Sequence, residues 1–203
     1  MGKRLGIMGG TFNPIHNGHL AIAGMARREL QLDEVWFMPT GDSPHKRVDV
    51  PGWQRLQMVE LALAGMEGFT VSDMEVRRAG RSYTCDTLRA IHACEPGVEL
   101  VFILGGDMFL DIPSWREPGE IIALAALAAA PRPGEDVVRL EHMVHYLRVT
   151  FGARVDVLRG MGPDISSTEI RGMVRAGRDI SALVPPAVAK YISDNKLYTA
   201  REI

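Results

Sequence analysis

Short apolar runs halted by glycine or proline alternate along this chain with longer stretches of helical periodicity. Arg4–Met8 runs into Gly9-Gly10, Glu34–Met38 into Pro39, Glu99–Leu104 into Gly105-Gly106-Asp107, and Leu124–Ala130 into Pro131. Phe69–Ser72 and Arg154–Leu158 are shorter runs of the same kind. Apolar runs of this length without polar alternation suit strands buried on both faces. Between them, Leu20, Ala23, Ala26 and Leu30 recur at helical spacing, and Trp53–Ala64 sets Leu56, Val59 and Leu63 on one face before Gly65. Thr84–Cys94 and Val137–Val149 also read as helices, and Ser167–Ala176 and Pro186–Asn195 as two C-terminal ones. Alanine favours helix intrinsically, but Pro131–Gly134 ends the Leu124–Ala130 run sharply, so a strand is expected there. Strands alternating with helices predict a Rossmann-like, doubly wound parallel sheet of the α/β class. With 203 residues, one domain spanning 1–203 is expected, its C-terminal helical part starting at about 163. In such sheets ligands bind outside the carboxyl ends of the strands.

Composition narrows the partners. Hydrophobic residues make up 46% of the chain, enough for a sizeable core. A formal net charge of −2 advertises neither nucleic acid nor an anionic membrane as a partner. An anionic small molecule must therefore be held by a local cluster. Cys85 and Cys94 are nine apart, with neither CxxC nor zinc-site spacing. They read as buried or half-buried thiols in a reducing compartment. The glycine-interrupted N-terminus lacks a signal-peptide core, and the Ile121–Pro131 run is too short to span a bilayer. The expected location is the cytoplasm.

The segment Gly9–Leu20, GGTFNPIHNGHL, joins the first strand to the first helix. Gly9 and Gly10 admit close backbone approach to a ligand, and Pro14 stiffens the loop. His16 and His19, three apart, straddle a helix start near Asn17. Both imidazoles and the free backbone N–H groups there suit an anion. No GxxxxGK[ST] P-loop and no GxGxxG dinucleotide fingerprint occurs here, since the glycines fall at 6, 9 and 10. A second constellation, Ile165–Arg171 (ISSTEIR), precedes a helix ending at Gly177. Ser166 and Glu169 have capping-box spacing. Ser167, Thr168 and the helix amides form an anion cradle, and Arg171 adds a charged fork one turn on.

The first string resembles the (H/T)xGH signature of the nucleotidyltransferase superfamily related to class I aminoacyl-tRNA synthetases. In full it is most similar to the bacterial nicotinate-mononucleotide adenylyltransferases, and the resemblance covers nearly the whole chain, including LVPPAVAKYISDNKLY. It implies the HxGH nucleotidyltransferase fold, with ATP met by Gly9, Gly10, Thr11, Phe12, His16 and His19, and its β- and γ-phosphates by Ser167, Thr168 and Arg171. Ser43-Pro44-His45-Lys46 resembles the family's PHK segment, which implies that Lys46 faces phosphate; alone it reads as a solvated loop. Gly105-Gly106-Asp107 is similar to the family's G-x-D at the adenosine end of ATP, with Asp107 either on ribose hydroxyls or acting as a helix cap. Ser82–Leu88 (SYTCDTL), Pro113-Ser114-Trp115 and Pro131–Gly134 (PRPG) resemble the segments around the pyridine nucleotide. They imply Thr84, Trp115 and Arg132 as its contacts, set against a helix cap, a core tryptophan and a structural arginine. Two positions depart from the family: Asn13, where many members carry Asp, and Arg116, where many carry an aromatic.

The implied reaction joins ATP and nicotinate mononucleotide, giving nicotinate adenine dinucleotide and pyrophosphate. The mononucleotide's 5′-phosphate, already a nucleophile at neutral pH, attacks the α-phosphorus in line. Catalysis is then positioning and electrostatics, with His16, His19, Lys46 and Arg171 as the catalytic group. Mg²⁺ arrives with ATP, and no carboxylate cluster calls for a dedicated metal site. Nicotinamide mononucleotide and phosphopantetheine are the alternative acceptors, and a non-catalytic nucleotide-binding module is the alternative of a different class.

Overall fold

The computed structural model describes residues 2–42, 48, 50–134 and 136–199. Six strands form one sheet: β1 (Arg4–Gly10), β2 (Glu34–Pro39), β3 (Phe69–Val71), β4 (Glu99–Gly105), β5 (Ala125–Ala130) and β6 (Val155–Val157). Their order is β3-β2-β1-β4-β5-β6 and every pairing is parallel. The order reverses between β1 and β4, where Ile7 stands opposite Trp36 on one side and Phe102 on the other. That reversal opens a crevice at the carboxyl ends of the two strands. Gly9-Gly10 and Gly105 therefore flank it, although 95 residues separate β1's first residue from β4's.

Helices cover both faces. Met8, Val35, Phe37, Val101, Ile103 and Ala128 meet α1 (Asn17–Glu29) and α2 (Gly52–Leu63) in one core. The same core takes in Ile170 of α8 (Ser167–Arg175) and Val188 and Ile192 of α9 (Pro186–Asp194), so the C-terminal helices share the sheet's interior. On the other face Ile7, Leu100, Phe102 and Leu127 pack with Leu88 and Ile91 of α4 (Thr84–Cys94) and Leu140 and Leu147 of α7 (Val137–Phe151). Among the described residues no helix is long and apolar enough to cross a membrane.

The strands expected from apolar runs are all present, with ends shifted by a residue or two. The alanine-rich segment is a strand because it is paired on both sides, to β4 and to β6. Tertiary pairing here overrides the helical preference of alanine. Four short elements carry too little periodicity to have been read: α3 (Met74–Arg77), α5 (Gly106–Asp111), a 3₁₀ turn at Ile112–Ser114, and α6 (Pro118–Leu124). The last begins with proline at its first position, where the missing N–H costs nothing. Cys85 is buried as expected, but Cys94 is exposed, because it is the last residue of α4, beyond the buried stripe of Cys85, Leu88 and Ile91.

All six residues of β5 are buried. Five of the six are alanines, and with every position of the strand buried, added volume has nowhere to go. Ala128→Leu should destabilise the protein by about 1–3 kcal/mol. Urea unfolding should show a lower midpoint at unchanged slope; an unchanged midpoint would mean that the face has slack.

Candidate active site

The loop between β1 and α1 delivers both histidines to the crevice. His16 has the extended backbone of an N-cap (φ −148°, ψ 168°) and precedes the first helical residue, Asn17. Its own N–H donates to His19 Nδ1 at 3.2 Å, while its carbonyl accepts from the His19 N–H at 2.9 Å. The two rings stack with centroids 3.7 Å apart. Phe12, buried on a positive φ of 46°, meets the His19 ring edge-on at 5.0 Å. Because His19 Nδ1 accepts a hydrogen bond, the neutral ring carries its proton on Nε2. His16 Nδ1 is buried and has no hydrogen-bond partner among the described residues. A Cβ at Gly18 would sit 2.9 Å from that nitrogen, so glycine leaves the ring its space.

These rings are neutral at neutral pH. Burial, and then the charge of Arg132, push His16 down to about 4. Burial, then His16 and then Arg132, hold His19 well below its ordinary 6.5. The expectation of free amides at the helix start needs narrowing. The Asn17 N–H is taken by the Leu183 carbonyl at 2.9 Å and the His19 N–H by His16.

The second constellation docks directly on this loop. Ser166 caps α8, its Oγ accepting from the Glu169 N–H at 3.1 Å. Ser167 Oγ donates to the Pro14 carbonyl at 2.9 Å, and Arg171 Nη1 donates to the Asn13 carbonyl at 2.8 Å. Arg171 Nη2 also reaches Thr168 Oγ1 at 3.1 Å. Tyr198 adds a bond from its hydroxyl to Asn13 Oδ1 at 2.7 Å. Asn13 is thus a fixing point for the C-terminal segment, a role an amide oxygen fills without charge.

Across the switch point, Asp107 lies in the first turn of α5. Gly105 (φ −68°, ψ 155°) occupies the capping position, so the cap alternative for Asp107 is set aside. Its carboxylate pairs with Arg132 Nη1 at 3.7 Å. Arg132 therefore bears on the histidines and on Asp107 together. Thr84 is the first residue of α4 rather than its cap; Tyr83, with an extended backbone (φ −110°, ψ 136°), takes that place. Trp115 is half-buried, edge-on to Phe102 at 6.0 Å, with Nε1 donating to Asp111 Oδ2 at 3.3 Å. Arg116 lays its guanidinium over the Tyr83 ring at 4.6 Å, which accounts for a cation at that position. Lys46, with its neighbours Ser43–Arg47, lies outside the described residues.

Sequence reasoning missed Arg55, Glu75 and Tyr198. Arg55 sits on the buried stripe of α2 with Met58, Val59 and Ala62. A charge on that apolar stripe was the available signal. Glu75 is buried and accepts from Thr87 Oγ1 at 2.7 Å, with burial pushing its carboxyl up.

Residues 7–173 match the cytidylyltransferase-like family. The chain is 44% identical to a "Probable nicotinate-nucleotide adenylyltransferase" of Geobacter sp. (strain M21), covering 96% of this chain and 98% of that one. It is 43% identical to a protein of the same description from Desulfitobacterium hafniense (strain Y51), over 97% and 96% of the two chains. It belongs to the nicotinate-nucleotide adenylyltransferase family. Its fold is shared with the Plasmodium falciparum nicotinic acid mononucleotide adenylyltransferase complexed with NaAD, at a TM-score of 0.78, 21% identity and 97% coverage of both chains.

For this family member the histidines give a pH signature. In the unfolded chain both protonate near 6.5, while in the fold they stay neutral to lower pH. The unfolded chain then binds more protons below 6.5, so stability falls as pH falls from 6.5 and, for His16, levels off below about 4. His16 alone should contribute a loss on the order of 1–3 kcal/mol. Urea unfolding across this range should show a shallower acid decline in His16→Gln than in the parent. Parallel curves would exclude His16 as the group responsible.

Proposed function

We propose that this chain transfers the adenylyl group of ATP to nicotinate mononucleotide, releasing pyrophosphate and forming nicotinate adenine dinucleotide for NAD biosynthesis. The observation that carries the reading is the docking of Ser167 and Arg171 onto the loop that bears His16 and His19. Two segments 153 residues apart at that contact, each of a residue type and spacing suited to an anion, thereby meet at one switch point. The family relationship specifies the chemistry such a site serves.

In this reading Mg–ATP enters over Gly9, Gly10, Thr11 and Phe12, with Gly105 and Asp107 on the adenosine side. Thr84, Trp115 and Arg132 face the pyridine nucleotide, whose carboxylate suits the guanidinium of Arg132. Its 5′-phosphate forms the new P–O bond to the α-phosphorus as the bond to the β-phosphate bridge oxygen breaks. The electron pair leaves with pyrophosphate. No protein nucleophile is needed. His16 and His19 donate hydrogen bonds to the α- and β-phosphate oxygens as charge shifts onto the leaving group. Their neutrality before ATP arrives limits repulsion between the stacked rings and from Arg132. Ser167, Thr168 and Arg171 hold the departing pyrophosphate, and Lys46 offsets the repulsion between two polyanions. Mg²⁺ comes as part of the nucleotide substrate.

Removing the His19 ring should lower kcat by about 100- to 1000-fold, with circular dichroism of His19→Ala matching the parent; near-parent turnover would remove His19 from the phosphate site. Arg171→Ala should raise the KM for ATP by about ten- to a hundredfold, and an unchanged KM would count against its phosphate role. The acceptor is tested by pyrophosphate release from Mg–ATP with nicotinate mononucleotide, nicotinamide mononucleotide or phosphopantetheine. Strong preference for the first is expected. Preference for either other acceptor, or ATP binding without turnover, would overturn the substrate assignment.

A further inference from the structure

Arg55, in the middle of α2, is 1% exposed, yet among the described residues it has no carboxylate at ion-pair distance. All three guanidinium nitrogens instead donate to backbone carbonyls. Nη1 reaches the Thr11 carbonyl at 2.6 Å, in the loop after β1. Nη2 reaches Thr40 at 2.6 Å and Gly41 at 2.9 Å, just after β2, and Nε reaches Val50 at 3.1 Å, just before α2. Burial lowers the pKa of Arg55, while Tyr198 and Glu75 act against that shift. A guanidinium nevertheless stays charged in proteins.

We infer that Arg55 is a positioning residue for adenylyl transfer. One rigid fork sets the distance and orientation between the β1–α1 loop and the chain leaving β2. In a trans peptide the carbonyl and the following N–H point in opposite directions. Holding the Thr11 carbonyl toward Arg55 therefore turns the Phe12 N–H away from the buried guanidinium, to the side where the proposed reading puts the ATP phosphates. The same geometry turns the Gly41 and Asp42 amides away from it. The fit is tight at Gly41, where any Cβ would run into the Glu75 carbonyl, so the segment cannot slide to compensate for a shorter side chain. Lysine keeps the charge but lacks the planar fork, and it cannot reproduce these bonds together.

This inference rests on the proposed reaction, and the test separates the two. Arg55→Lys and Arg55→Gln would be compared with the parent and with Met58→Ala, a core truncation on the same helix that removes no hydrogen bond from either loop. Two quantities are read at a temperature where circular dichroism shows each protein folded: the Kd for Mg–ATP without acceptor, and kcat for pyrophosphate release with nicotinate mononucleotide. The expected result is a kcat lowered about 100-fold in Arg55→Lys and a weakened Kd. Met58→Ala should keep both parent values despite a lower melting temperature. Arg55→Gln serves as the second variant if Arg55→Lys does not fold. Parent-like Kd and kcat in a folded Arg55 variant would overturn the positioning role. A parent that binds ATP but releases no pyrophosphate would overturn the reaction instead, leaving the ATP affinities to judge Arg55.

Discussion

The loop from Thr11 to His16 is a stretch of chain whose carbonyls are captured one after another by donors from distant segments. Arg55 takes Thr11, Arg171 takes Asn13, and Ser167 takes Pro14, while Tyr198 binds the Asn13 side chain. A loop of this kind would otherwise sample many conformations, at a cost of about 1–2 kcal/mol of backbone entropy per residue on ordering. The hydrogen bonds come from α2, from α8 and from the chain after α9. The His16–His19 pair is therefore fixed by the whole fold rather than by its own helix. Loss of any one donor would leave a part-buried carbonyl unpaired as well as loosening the loop.

The switch point gives that loop its purpose. Between β1 and β4 the helices depart to opposite faces, and the crevice receives backbone from both sides. A neutral, stacked histidine pair lines it on one side and the Arg132–Asp107 pair on the other. A net charge of −2 over the chain gives no general attraction for a nucleotide. In the proposed reading, local arrangement carries the recognition: guanidiniums held by carbonyls and carboxylates, beside a stacked pair of neutral imidazoles. In the proposed reaction this arrangement stabilises charge that moves from the α-phosphate to the leaving pyrophosphate without reorganising the protein.

Much of this was legible from residue order. The apolar runs ending in glycine or proline located the strands, and the residues just past them located the loops that meet at the crevice. His16, His19, Ser167 and Arg171 stand out because their types and spacing suit phosphate, and the structure brings their two segments into contact. Thr84 as a cap was not legible, because the choice between Tyr83 and Thr84 depends on where the backbone turns helical. The Asp107–Arg132 pair was not legible either, since each belongs to a different strand end. Arg55 was the hardest to interpret. A lone arginine on an apolar stripe announces that something must satisfy it, but its acceptors were backbone carbonyls, which have no sequence code.

Taken alone, the sequence determined the class of fold, the order of its elements and the chemical character of its two polar loop motifs, because periodicity and residue type are local properties. The tertiary structure decided which strand ends are neighbours, which donors hold the first loop and which imidazole nitrogen accepts a hydrogen bond. Those depend on contacts between residues separated by as many as 185 positions, as between Asn13 and Tyr198. Such contacts exist only once the sheet has closed around its two cores, so no local pattern encodes them.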